Sequence, residues 1–328
     1  MKQLFFILCT LLTPLLAQAG GEDVVIENAR MRLVIGADGA ARSLVLKATG
    51  EECLAAGVRT PICAITQYRP YDNENFLIYP AKPRIFPANR VERRGDRLYV
   101  EFEDTYDIAV IRLDIRDDYV GFALERVDYR IEAYGVKRQT EIDEFALLQL
   151  VVRPREHFGE WLNVVWDDHA AVNLLGTHPG TRIDAYPGEG ATTLYAGLDA
   201  RVGLFGPGAA LVVSSREGLL PAIGQVEQDY DLPRGVESRR NPNYRCSYYS
   251  LRNVTPENID AHIEYARRGG FRTMVVYYVD FARSCGHYGW REEYPNGMED
   301  LRYITDRIRA AGMIPGLHFH YSKVGVND

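Results

Sequence analysis

The stretch Thr273-Met274-Val275-Val276-Tyr277-Tyr278-Val279-Asp280 decides how the C-terminal part of the chain is read. It is an almost unbroken apolar run that ends on a carboxylate, as a parallel strand covered on both faces requires. Upstream, Thr255-Pro256-Glu257 carries the signals of a helix start: a capping hydroxyl, a proline where no amide hydrogen is missed, and an acid at the positive end of the dipole. Ile259, Ile263 and Ala266 then recur at helical spacing until Gly269-Gly270. Downstream, a helix is expected from about Met298 to Ala311, with Leu301, Ile304 and Ile308 on one side and Gly312 as its stop. Met313 to Phe319 reads as the next buried strand, although Pro315 cannot donate to a ladder. Helix, strand, helix, strand is the opening of an α/β domain with a parallel sheet.

Before this point the period changes to two. Arg30 to Ile35, Arg97 to Phe102 and Ala109 to Ile115 alternate, with Asp38-Gly39, Gly95-Asp96 and Asp117-Asp118 as turns. Ser43 to Leu46, Val120 to Tyr129, Phe145 to Val152, Thr193 to Leu198, Val202 to Phe205 and Ala210 to Val213 complete a set of short strands. Such spacing argues for antiparallel sheets packed as a sandwich. No helix of three turns is expected before Ile223. The organisation read from the sequence is therefore a β-sandwich over 20–228, a linker over 229–244 that holds Pro233, Gly235 and Pro242, and an α/β region over 245–328.

A length of 328 residues fits two domains at roughly 150 residues each. The net charge is −7, whereas polyanion binding needs clustered Lys/Arg to displace counterions, which speaks against nucleic acid as a partner. With 12 Phe, 21 Tyr and 3 Trp there is ample surface to bury, which speaks against disorder. Residues 1–19 read as a signal peptide: Lys2 is the only charge, Leu4 to Leu16 is apolar, and Ala17-Gln18-Ala19 is a small-x-small cleavage site. The expectation is a secreted or periplasmic protein with no membrane contact after cleavage. The mature chain then carries Cys53, Cys63, Cys246 and Cys285, which allow three pairings. Neighbour pairing, Cys53 with Cys63 and Cys246 with Cys285, is the simplest. No C-x-x-C spacing exists for a zinc knuckle or a redox motif.

Residues 248–321 resemble the start of the catalytic barrel of clan-D-type glycoside hydrolases, the α-galactosidase superfamily. The resemblance rests on Val275-Val276-Tyr277-Tyr278-Val279-Asp280, then Gly289-Trp290, then Tyr294-Pro295-Asn296-Gly297-Met298 with Asp300-Leu301, and finally Gly312-Met313-Ile314-Pro315-Gly316-Leu317. In the N-terminal half, Asp38-Gly39 through Lys47-Ala48-Thr49-Gly50-Glu51 is similar to an opening common in the sandwiches of such enzymes. The family often shows two adjacent aspartates where this chain has Asp280-Phe281, and the loop Phe281 to Tyr288 stands before Gly289-Trp290. The resemblance implies a fold of multi-domain β plus α/β type: an antiparallel β-supersandwich followed by the first βα units of an incomplete (β/α)8 barrel. A complete barrel takes roughly 250 residues. The chain is thus expected to be a fragment, with the parent's nucleophile and acid/base carboxylates on later strands. Its catalytic residues are unknown on this reading.

Four residues stand out as substrate contacts. Asp280, at the strand's C-terminal rim, has the geometry to accept from two neighbouring sugar hydroxyls, or else to cap a turn or bind Arg283. Trp290 has a ring face for a pyranose, or packs its loop. His318 and His320 leave one strand face together. They suit sugar hydroxyls, or a divalent metal with Asp280 as third ligand. Trp166-Asp167-Asp168-His169 is the densest polar cluster of the first half, readable as rim or as a solvated turn. Asn253-Val254-Thr255 fits a glycosylation sequon, and Gly203 to Gly208 is a turn rather than a phosphate loop.

The function expected is that of a secreted glycoside-hydrolase-like protein acting on or binding carbohydrate, with no cofactor. Hydrolysis would run through paired carboxylates in the parent. The alternatives are a non-catalytic carbohydrate-binding module and a metal-dependent hydrolase using His318 and His320. An unfinished parallel sheet is expected to expose an apolar edge.

Overall fold

The computed structural model describes residues 21–68, 83–129 and 142–320. The signal-peptide reading and the tail Lys323 to Asp328 lie outside the described residues. The chain divides into two compact units, one up to Val236 and one from Glu237 onward.

The first unit is built almost wholly of antiparallel strands. β1 (Val24–Glu27), β2 (Met31–Ile35), β3 (Ala41–Leu46) and β4 (Glu51–Glu52) form a four-stranded sheet in sequence order. A second sheet of twelve strands takes in β5 (Ala64–Tyr68), β6 (Pro83–Arg94), β7 (Arg97–Phe102), β8 (Asp107–Ile115), β9 (Val120–Tyr129) and β10 (Glu144–Val152). It is completed by β11 (His157–Gly159), β12 (Val164–Trp166), β13 (Ala171–Gly176), β14 (Thr181–Gly188), β15 (Ala191–Asp199) and β16 (Gly208–Ser214). The strand order is β11-β12-β13-β16-β9-β8-β7-β6-β5-β10-β15-β14. The long β6 pairs with β5 through one half and with β7 through the other, with a register shift between Ala88 and Arg90. The sheet folds back on itself there, so that β9 meets β10 and β13 meets β15 across a shared core. Phe102 of β7 and Phe145 of β10 meet edge to face at 5.8 Å inside it.

All seven residues of β16 are buried, and alternation explains why. Ala209, Leu211 and Val213 join the main core, while Ala210 and Val212 face a second core under a helix. That helix, α1 (Arg216–Asp229), corrects the expectation of continuing period-two structure to Ile223. Ser215 caps it by accepting from the Gly218 amide, and Leu219, Ala222, Ile223 and Val226 pack it on the sheet. Gly218, Pro221 and Gly224 interrupt the sequence pattern and hide it. The expected strand at Val202 to Phe205 is instead a set of turns between β15 and β16. The linker over 229–244 also carries structure, a single turn α2 (Gly235–Ser238) and a 3₁₀ turn at Pro242–Arg245.

No disulfide joins Cys53, Cys63, Cys246 or Cys285, which corrects the neighbour pairing. The carbonyl of Cys53 accepts from Arg153 at the end of β10, whereas that of Cys63 accepts from Ala88 in β6. The two buried cysteines therefore sit against different neighbours. Burial pushes both thiols up, that of Cys63 far beyond its ordinary range.

Among the described residues the second unit holds three parallel strands rather than the two expected: β17 (Tyr248–Ser250), β18 (Thr273–Tyr277) and β19 (Ile314–His318), in the order β17-β18-β19. β17 went unread because a three-residue strand has no period of its own. Met274 and Val276 turn one face of β18 into a core shared with α3 (Ile259–Arg268) and α5 (Met298–Ala310). Helix α3 begins at Ile259 and not directly after Thr255, since residues 256–258 form a turn in which the Asn258 and Ile259 amides donate to the Thr255 carbonyl. Helix α5 ends as expected: Gly312 adopts φ +77°, a left-handed conformation that other residues resist.

Candidate functional site

The C-terminal ends of the parallel strands gather the residues singled out in the sequence. β18 passes directly into one helical turn, α4 (Tyr278–Phe281). Asp280 belongs to that turn, not to the strand, and is only 6% exposed. Its Oδ1 accepts the Asn253 amide at 2.7 Å, and its Oδ2 accepts the Tyr277 amide at 3.3 Å. Burial raises its carboxyl above the ordinary range, while the two amides and the nearby Arg252 and Arg291 pull the other way. The carboxylate thus ties the segment after β17 to the turn after β18. Asn253, the sequon residue, is held there with φ +54°, and its carbonyl accepts from the Asn258 side chain at 2.8 Å.

The loop Phe281–Tyr288 folds back on Gly289-Trp290. Ala282 bridges Trp290, the Arg283 amide donates to the Gly289 carbonyl at 2.8 Å, and the Arg291 amide donates to the Phe281 carbonyl at 2.9 Å. Trp290 lies 5.9 Å from the Phe281 ring and stacks on Tyr294 at 6.4 Å. Gly297, at φ +60°, passes so close that a Cβ there would sit 2.8 Å from the Trp290 Nε1. This contact gives the Tyr294-Pro295-Asn296-Gly297 motif a physical reason. Asp300 completes it by accepting from the Asn296 amide at 2.8 Å and side chain at 3.1 Å. Trp290 is therefore a packing residue of the loop in this arrangement.

His318 ends β19, and its ring lies 4.6 Å from that of Tyr277 and 5.0 Å from that of His320. Tyr278 meets His320 edge-on at 5.3 Å and stands at 5.9 Å from Tyr288. The Tyr288 hydroxyl donates to the His320 carbonyl at 2.6 Å and accepts from its amide at 3.0 Å, pinning the loop to the end of β19. The Nδ1 atom of His318 is buried without a hydrogen-bond partner. Tyr277, Tyr278, Tyr288, His318 and His320 thus form one ring cluster. Its three tyrosines are not among the substrate contacts expected from the sequence, although Tyr277-Tyr278 and Tyr288 flank the residues chosen there.

The same two histidines were weighed as metal ligands with Asp280. Asp280 spends both oxygens on backbone amides, and among the described residues no three His, Cys, Asp or Glu side chains converge as a metal site. Trp166-Asp167-Asp168-His169 forms the turn after β12. Asp167 accepts from the His169 and Ala170 amides and pairs with Arg155 at 2.8 Å. Those bonds hold the Asp167 carboxyl below its usual range against the opposing effect of burial.

No protein-family model matches the chain, and no curated protein does. Solved structures similar to it are glycoside hydrolases of α-galactosidase and GH31 type. The α-galactosidase from Lactobacillus brevis aligns at 10% identity with a TM-score of 0.42, covering 91% of this chain and 54% of that one. A GH31 family sulfoquinovosidase from E. rectale, in complex with an aza-sugar inhibitor, aligns at 11% identity with a TM-score of 0.40, covering 90% and 48%. The cycloalternan-forming enzyme from Listeria monocytogenes, in complex with a pentasaccharide substrate, aligns at 10% identity with a TM-score of 0.32, covering 90% and 31%. The chain spans about half the length of the first two.

Proposed function

We propose that this protein binds carbohydrate at the C-terminal rim of β17–β19, as a secreted protein of glycoside-hydrolase architecture. On this reading the antiparallel unit is a supersandwich and the parallel strands are the opening βα units of a (β/α)8 barrel. The observation that carries the proposal is the ring cluster of Tyr277, Tyr278, Tyr288, His318 and His320, set where parallel barrels place their sites. Phenol rings offer apolar faces to the C–H groups of a pyranose and hydroxyls at their tips. Imidazole nitrogens donate to or accept from sugar hydroxyls. The described residues of this rim bind and orient; they do not supply a pair of reactive acids. Asp280 works as a tether, and hydrolysis by two carboxylates would draw both from further strands of such a barrel.

The experiment is saturation-transfer NMR of the purified protein with methyl glycosides in gluco and galacto configuration, beside a para-nitrophenyl glycoside panel. The expected result is ring-proton saturation that Tyr278→Ala removes, with no turnover. No saturation from any glycoside would overturn the binding proposal, and turnover would overturn the assignment of the reactive acids to other strands.

A further inference from the structure

The registers of the parallel sheet lay one row of side chains across its three strands. Ser250 pairs with Val275, Val275 with Gly316, and, two residues on, Tyr277 with His318. Arg252 follows Ser250 by the same two residues. Side chains two apart in extended backbone share a face, and this face is opposite to the one Met274 and Val276 bury under the helices. The row is therefore Arg252, two residues beyond β17, then Tyr277 of β18 and His318 of β19, in spatial order. The distances agree: the Arg252 guanidinium carbon stands 4.6 Å from the Tyr277 ring centre, and the His318 ring stands 4.6 Å from the same ring.

Arg252 is exposed, and among the described residues it makes no hydrogen bond and no ion pair. A guanidinium lying on an aromatic face keeps its N–H donors in plane and directed outward, the fork geometry that a carboxylate or a sulfate fits. Asp280 acts on it through space, without a hydrogen bond to the guanidinium. Both oxygens of Asp280 are spent on amides below the surface, and Glu293 is paired with Arg291 at 3.2 Å. Beside the cation, the buried Nδ1 of His318 is a polar atom that lacks a partner. A guanidinium whose donors are unspent and an imidazole nitrogen without a bond, at the two ends of one row, are what a charged and hydroxylated ligand would complete.

We infer that the Arg252–Tyr277–His318 row is an anion subsite, so that the sugar taken by this rim carries a negative charge, as a uronate carboxylate or a sulfate ester. The guanidinium holds the acid group, the tyrosine ring backs it, and His318 bonds a ring hydroxyl. This inference rests on the carbohydrate reading of the same rim.

The test titrates the full chain, by the same NMR readout, with methyl glucoside and galactoside, their uronates and their 6-sulfates, at low salt and in 0.5 M NaCl. The charged ligands are expected to bind about tenfold tighter than the neutral ones at low salt, as charge-assisted hydrogen bonds allow. Salt should shrink that margin. Arg252→Gln should remove it while neutral binding stays, and Arg268→Gln on α3 should leave it intact. A margin confined to uronates identifies the carboxylate as the recognised group, and one confined to sulfates identifies the ester. Equal binding of neutral and charged sugars, or a margin that survives Arg252→Gln, overturns the anion subsite and leaves the sugar reading standing. Binding of neither kind overturns both. If Arg252→Gln alters thermal unfolding, Arg252→Lys and the salt dependence of the unaltered protein decide, because a margin insensitive to salt is incompatible with an exposed charge contact.

Discussion

The twelve-stranded sheet and the three-stranded sheet use the same residue types to opposite ends. In the first, both faces of the central strand β16 are covered, one by the sheet folded back on itself and one by α1. In the second, α3 and α5 cover one face of β18, while Ile314, Leu317 and Phe319 of the β19 segment remain exposed. A closed core spends its side chains on packing. The half-covered sheet leaves Tyr277 and His318 only partly buried and Arg252 exposed. The lesson is that the candidate chemistry lies where packing is incomplete.

The sharpest way to break this contrast is to truncate one leucine in each region. Leu211 of β16 is fully buried, and Leu211→Ala is expected to cost about 3–5 kcal/mol in urea unfolding. Leu317 of β19 is 43% exposed, and Leu317→Ala should cost a small fraction of that. Equal losses would mean that β19 is covered in solution. The next effect concerns Arg155, whose side chain is 3% exposed and bridges Glu51 at 2.9 Å and Asp167 at 2.8 Å. Replacing it by Met leaves two half-buried acids without a counter-ion, and a loss of about 2 kcal/mol is expected from the first unit's unfolding transition. Asp280→Ala frees two amides below the surface and should lower the second unit's stability by about 1–2 kcal/mol, read by hydrogen exchange at Asn253 and Tyr277.

The smallest effect is a pH dependence of the second unit alone. Burial on α3 pushes the His262 imidazole below its ordinary range, with Asp280 partly opposing. The unfolded chain then binds a proton first, so stability is full above the unfolded value of roughly 6.5 and is lost as pH falls through the folded one. Thermal melts between pH 7.5 and 5 should show this fall for the second unit, and His262→Gln should flatten it. A slope unchanged by the substitution would assign the effect elsewhere.

Much of this arrangement is legible in the residues themselves. Helix α5 follows from Leu301, Ile304 and Ile308 with Gly312 behind them, and the antiparallel hairpins follow from alternation and from Gly95-Asp96 and Asp117-Asp118. Helix α1 does not, because Gly218, Pro221 and Gly224 weaken its local propensity and only the sheet beneath it selects the helical state. The site divides the same way. Asp280 and the histidine pair are visible as strand-end residues, whereas the Arg252–Tyr277–His318 row depends on register across three strands, which no single segment encodes. The absence of a disulfide among the four described cysteines has the same origin, since spacing along the chain says nothing of which strand a thiol faces.

Pro315 has one last consequence. Ile314 donates its amide to Arg272 beside β18, so alternation turns the backbone of Pro315 and Leu317 toward the outer edge of β19. Proline brings no hydrogen there, and Leu317 is the residue whose N–H that edge can offer within the strand. A neighbouring strand, from whatever source, would find one donor there beside the Pro315 and Leu317 carbonyls, which leaves this edge one ladder bond poorer for a sliding, amyloid-like partner.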